Sequence, residues 1–123
     1  MKKHKLIKLS NFNTVFQSDP LENYILCEFN DPLYIVFSSG TTGKPKCIVH
    51  SIGGVLIQHA KEHLFHTNLI EKQKMFYFTT CGWMMWNWLV GSLFCKSSII
   101  LYEGSPFYPG PDHLWKIAEK SEL

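Results

Sequence analysis

Arginine is absent from this chain. All twelve basic residues are lysines, set against ten acidic ones for a formal net charge of +2. Without a guanidinium there is no planar fork to grip phosphates or guanine edges, and so small a charge steers no polyanion, so no nucleic acid partner is expected. Charge is scarce altogether, at 18% of residues, while 46% are hydrophobic, which excludes the disordered class. Cysteine is sparse and spaced without a Cys-x-x-Cys: Cys27, Cys47, Cys81 and Cys95 indicate neither a zinc ribbon nor a redox motif. The first residues lack the apolar stretch of an export signal. Reduced cysteines in a cytoplasmic protein are the expectation. No Gly-x-Ser-x-Gly elbow is present, which leaves a serine hydrolase unsupported.

One run lacks charge entirely. From Met75 to Cys95 no residue is ionised at neutral pH, and the length matches the roughly 20 residues that a membrane helix needs. Thr79, Thr80, Gly82, Asn87, Gly91 and Ser92 interrupt it. Two short buried elements with a turn at Cys81–Gly82 account for it better, so no membrane contact is expected.

The length of 123 residues suits one domain. Residues 1–30 read as an irregular segment: Lys2, Lys3, Lys5 and Lys8 crowd a solvated terminus, and Asn11, Asn13, Ser18, Asp19 and Pro20 mark loops. The run from Leu33 to Ser38 predicts a strand buried on both faces. A polar loop to Pro45 leads to a second strand over 46–50, and Ser51 can cap a helix over about 53–68 with Leu56, Ile57, Ala60 and Leu64 along one side. Strands over 75–79 and 98–102 alternate with helices over 84–94 and 113–120. The alternation predicts an α/β fold of mainly parallel strands joined by crossover helices. Open apolar edges on so small a sheet make residues 31–123 read as an excerpt of a larger domain.

The chemistry concentrates in Ser38-Ser39-Gly40-Thr41-Thr42-Gly43-Lys44-Pro45-Lys46, with four hydroxyls, two glycines and two lysines directly after a strand. Polyphosphates need many donors at close range. Glycines expose backbone amides, hydroxyls add donors without bulk, and lysine adds a compact charge. Such compositions also make plain turns. The loop is not a Walker loop: two residues rather than four separate its glycines, and Pro45 follows Lys44 where that motif has a hydroxyl.

The stretch from Ser39 to Lys46 resembles the signature loop of the adenylate-forming superfamily. The resemblance implies that Ser38, Ser39, Gly40, Thr41, Thr42, Gly43 and Lys46 hold the β- and γ-phosphates of ATP, with Lys46 the most characteristic charge. A second stretch, Phe78-Thr79-Thr80-Cys81-Gly82-Trp83-Met84-Met85-Trp86-Asn87, is similar to the acyl-pocket wall of the acetoacetate–CoA ligases within that superfamily. Leu101-Tyr102-Glu103-Gly104-Ser105-Pro106 also looks like the short-chain branch. By that resemblance the substrates are ATP with Mg2+, acetoacetate and CoA, and the large N-terminal domain of such a ligase supplies the fold. Trp83, Met84 and Met85 would reach the acyl group.

Departures from the family are expected to matter. The chain has neither the later Tyr-Gly-x-Thr-Glu segment nor a domain with the catalytic lysine, so it reads as a fragment, inactive alone. The rival is a nucleotide-binding module or remnant without chemistry. His59, His63 and His66 fall at i, i+4 and i+7, so one helical face could present them. Ala60 stands where the zinc-protease motif has Glu, so no metal site is expected. His50 is a weaker candidate for nucleotide contact.

Overall fold

The computed structural model describes residues 19, 22–39 and 43–123. The lysine cluster, most of the predicted N-terminal loop markers, and Gly40, Thr41 and Thr42 lie outside them. Strand β1 (Pro32–Phe37) runs into a loop and returns as β2 (Cys47–Ser51). The two pair antiparallel, with Tyr34 opposite His50, Val36 opposite Ile48 and Phe37 opposite Cys47. A register shift between Pro32 and Tyr34 marks an irregularity at the open end.

The Leu33–Ser38 run was expected to be buried on both faces, and here the structure differs. Tyr34 and Val36 are half-buried, whereas Ile35 and Phe37 are 55% and 66% exposed. β-Branched and aromatic residues suit a pleated strand whether or not a second layer covers it. Composition located the strand but could not supply the covering layer.

Helix α1 (Ile52–Lys61) follows β2 without a break. The predicted cap forms: Ser51 has extended backbone, and its Oγ accepts from the Gly54 N–H at 3.2 Å. The next free amides are met by the preceding turn, with Ile52 N–H donating to the Asp31 carbonyl and Gly53 N–H to that of Phe29. The Phe29 ring lies where a side chain on residue 53 would go, so the helix start requires glycine there. Beyond Lys61 the coil widens into a π-turn, Glu62–His66, with Thr67 N–H reaching back to the Glu62 carbonyl at 3.0 Å.

Strand β3 (Lys74–Phe76) pairs parallel with β4 (Ser98–Ile100), Met75 lying opposite Ile99. Between them the chain passes through α2 (Met84–Gly91) and a 3-10 turn, Ser92–Cys95. The uncharged run therefore folds as strand, loop and helix, with a turn at residues 81–82. Among the described residues no helix is long and apolar enough to cross a membrane. A last helix, α3 (His113–Ser121), is tied back by Lys74, whose Nζ donates to the Ser121 carbonyl at 2.7 Å and pairs with Glu122.

Helices and strands alternate, as in an α/β fold, but the strands form two pairs, one antiparallel and one parallel. The expected single, mainly parallel sheet is not what the described residues display. A parallel return needs a crossover of a dozen or more residues, and the loop between β1 and β2 is too short for one. That spacing was legible in the sequence. Among the described residues the buried hydrophobic set is small: Val55 on α1 and Leu89 on α2, two helices in contact, and Leu69 just after the π-turn.

Candidate functional site

The loop after β1 is closed at its base by one residue pair. Ser38 N–H donates to the Lys46 carbonyl at 3.0 Å, and Lys46 N–H donates to Ser38 Oγ at 3.3 Å. The bonds extend the hairpin register by one pair and seat Lys46 on a fixed backbone. Ser38 Oγ accepts from the frame, and its own O–H has no acceptor among the described residues. Lys44 sits in a bend and, like Lys46, Ser39 and Gly43, is exposed. A side chain on Gly43 would meet no described atom within 4 Å, so packing does not account for that glycine. Neither lysine forms an ion pair among the described residues.

The second predicted stretch packs around the start of α2. Trp83 occupies the cap position with extended backbone, its N–H donating to the Thr80 carbonyl at 3.0 Å. Its indole is 71% exposed, Met84 is 50% exposed, and Met85 is half-buried. Trp83 and Met85 line a hollow of about 330 Å3 with Tyr77, Phe78, Thr79 and Thr80. Met84 and Met85 line a second hollow of about 530 Å3 with Trp88, with His59 and Gln58 of α1, and with Tyr34 and His50 of the hairpin. Met85 thus stands between two concave, largely apolar spaces. The larger one joins the hairpin that carries the loop to the helix that carries the methionines.

His50 stacks on Tyr34, ring centroids 5.3 Å apart, and faces the larger hollow instead of standing alone beside the loop. The three spaced histidines do not share one surface. His63 is fully buried, His59 is half-buried and His66 is exposed, because the π-turn breaks the regular helical spacing. His63 Nε2 donates to the Trp88 carbonyl at 3.0 Å, and the two rings stack with centroids 4.6 Å apart. Burial pushes the His63 imidazole below its usual value, partly opposed by that hydrogen bond. Burial, then the nearby His63 and His50, lower His59 as well. Burial raises the Tyr34 phenol. The pairing of His63 with Trp88 was not anticipated from sequence; the i+4 spacing of His63 from His59 points only to a shared helical face. No group of three or more His, Cys, Asp or Glu side chains is placed to hold a metal among the described residues. All four cysteines are free thiols.

A family profile described as AMP-binding enzyme matches residues 5–123. The chain belongs to the AMP-binding enzyme family. An acetoacetyl-coenzyme A synthetase of Rhizobium meliloti is 54% identical over 112 residues, which are 91% of this chain and 17% of that protein. The solved acetoacetyl-CoA synthetase from Streptomyces lividans superposes with a TM-score of 0.80 at 43% identity, covering 89% of this chain and 17% of that one. A luciferase-like enzyme from the mealworm Zophobas morio shares the fold, with a TM-score of 0.57 at 23% identity, over 79% of this chain and 21% of its own. The chain spans about one sixth of the length of these two synthetases.

Proposed function

We propose that the chain supplies the ATP phosphate grip and part of the acyl pocket of an AMP-forming acetoacetate–CoA ligase. In this reading residues 31–123 are part of the large N-terminal ligase domain, whose fuller sheet carries further parallel strands. The complete enzyme joins acetoacetate to CoA at the expense of ATP, releasing AMP and diphosphate. The acid's carboxylate oxygen attacks the α-phosphorus, the bond to the bridging oxygen breaks, and diphosphate leaves. The CoA thiolate then attacks the acyl carbon and AMP departs.

Ser38, Ser39, Gly40, Thr41, Thr42, Gly43 and Lys46 orient the β- and γ-phosphates of MgATP and offset the charge gathering on diphosphate, a positioning and electrostatic role. An ammonium 4 Å from a phosphate charge contributes about 4 kcal/mol at an effective dielectric of ~20. Trp83, Met84 and Met85 present an apolar wall to the acyl chain, as such pockets require. The observation that carries the reading is the larger hollow, which brings Tyr34 and His50 of the loop-bearing hairpin together with Met84 and Met85. Acetoacetate as the acid rests on what the two synthetases are named for.

The test is a chimera of the Streptomyces lividans synthetase carrying this chain in place of its matching segment. Acetoacetate-dependent exchange of diphosphate into ATP, lost when residues 39–43 are replaced by alanines, is the expected result. Nucleotide binding without exchange for any acid would favour a binding module instead.

A further inference from the structure

We propose that His63 is a positioning residue for the acyl wall, setting the N-terminal turn of α2 through Trp88. The proposal rests on the ligase reading above. It begins with a break in α2. Where the helix tightens into the 3-10 turn, Ser92 N–H bonds to the Leu89 and Val90 carbonyls, so the amide four residues on is not spent on Trp88. A buried carbonyl without a donor is costly. His63 Nε2 meets that carbonyl at 3.0 Å from the neighbouring helix.

The imidazole is itself tightly held. Its backbone carbonyl accepts from Thr67 Oγ1 at 2.7 Å and from Leu69 N–H at 2.8 Å, which locks the π-turn that aims the ring inward. Such turns often mark functional positions. His59 lies edge-on at 6.0 Å. With Nε2–H donating, Nδ1 is the unprotonated nitrogen, and it has no hydrogen-bond partner among the described residues. A second proton there would be a buried donor without an acceptor, so the ring works as a neutral, one-way donor. Its depressed proton affinity agrees.

Trp88 passes this constraint on. Its indole lies between His63 and Tyr77, 4.6 Å and 5.7 Å away by ring centroids. Residues three and four apart share a helix face, and Met85 and Met84 stand three and four positions before Trp88. All three line the same hollow. A shift or rotation of Trp88 therefore moves the surface that the acyl chain would touch, and small displacements in such pockets change rates steeply.

His63→Leu keeps the apolar bulk and removes the donor, while His63→Gln restores an N–H. In the 123-residue chain with 13C-methyl methionine, His63→Leu should shift the Met84 and Met85 signals more than that of Met75, and His63→Gln should return them. In the chimera, His63→Leu should change the ratio of kcat/KM for acetoacetate over hexanoate on the order of tenfold, with His63→Gln restoring it to within about twofold. Unmoved Met84 and Met85 signals, an unchanged ratio, or equal effects of the two variants would overturn the proposal. A parent chimera that activates no acid would instead remove the ligase reading, and the methyl spectra would still decide whether His63 positions the wall.

Discussion

Pro45 separates two lysines of equal charge and unequal restraint. Lys46 is bonded to Ser38 through both its N–H and its carbonyl, so its side chain starts from a fixed point at the loop base. Lys44 projects from an exposed bend, where salt screens it within about 8–10 Å. In the chimera, Lys46→Ala should reduce acetoacetate-dependent ATP–diphosphate exchange by on the order of a hundredfold, and Lys44→Ala by no more than about threefold. Equal losses would mean that general positive potential, not geometry, drives the grip. Trp83 offers a second test, since its indole walls the smaller hollow with Met85. Removing it in Trp83→Gly should favour longer acids, raising kcat/KM for hexanoate relative to acetoacetate by about tenfold. An unchanged ratio would take Trp83 out of the pocket.

Among the elements, α1 carries the most explicit start signal. Ser51, Asp31 and Phe29 together satisfy three of its first amides. Loss of such a cap costs about 1 kcal/mol, so Ser51→Ala should speed amide exchange in the first turn of α1 about fivefold. Exchange confined to its old rate would show that Asp31 and Phe29 suffice. The cap was legible because it is local: a serine followed three residues later by an accessible N–H. The split of the predicted 53–68 helix into α1 and a π-turn was not legible. It depends on Thr67 and Leu69 folding back onto the His63 carbonyl and on a carbonyl that α2 leaves open. Pattern reading of one segment cannot see either partner.

At the scale of the whole molecule, one buried and one half-buried imidazole couple stability to pH. His59 and His63 both hold protons less readily folded than unfolded, where the value is 6.5. Unfolding therefore takes up protons as the medium acidifies. Their contribution is fully present above pH 6.5 and is lost as pH falls through the lowered folded values. The melting midpoint by far-ultraviolet ellipticity should drop between pH 7.5 and 5.5, and the His59→Gln, His63→Gln double variant should flatten that drop; a parent midpoint independent of pH would contradict it. Large apolar side chains also stay open to solvent, including Ile35, Phe37, Val49, Phe65 and Trp115. Such surface promotes association and loose packing. The isolated chain should bind a hydrophobic dye and melt over a broader temperature range than the chimera, whereas a sharp, cooperative transition in a monodisperse monomer would establish a self-sufficient domain.

What the sequence determined by itself is whatever depends on neighbours along the chain. The order of strands and helices, the cap at Ser51, the turn at Cys81–Gly82 and the loop composition from Ser38 to Lys46 all rest on short-range sterics and hydrogen bonding. What the tertiary structure alone decided is which surfaces meet. The division of the strands into two pairs, the uncovered face of β1, and the burial of His63 beneath Trp88 each depend on partners distant in sequence. Periodicity records which residues want a partner, and only the packed chain determines which partner each one has.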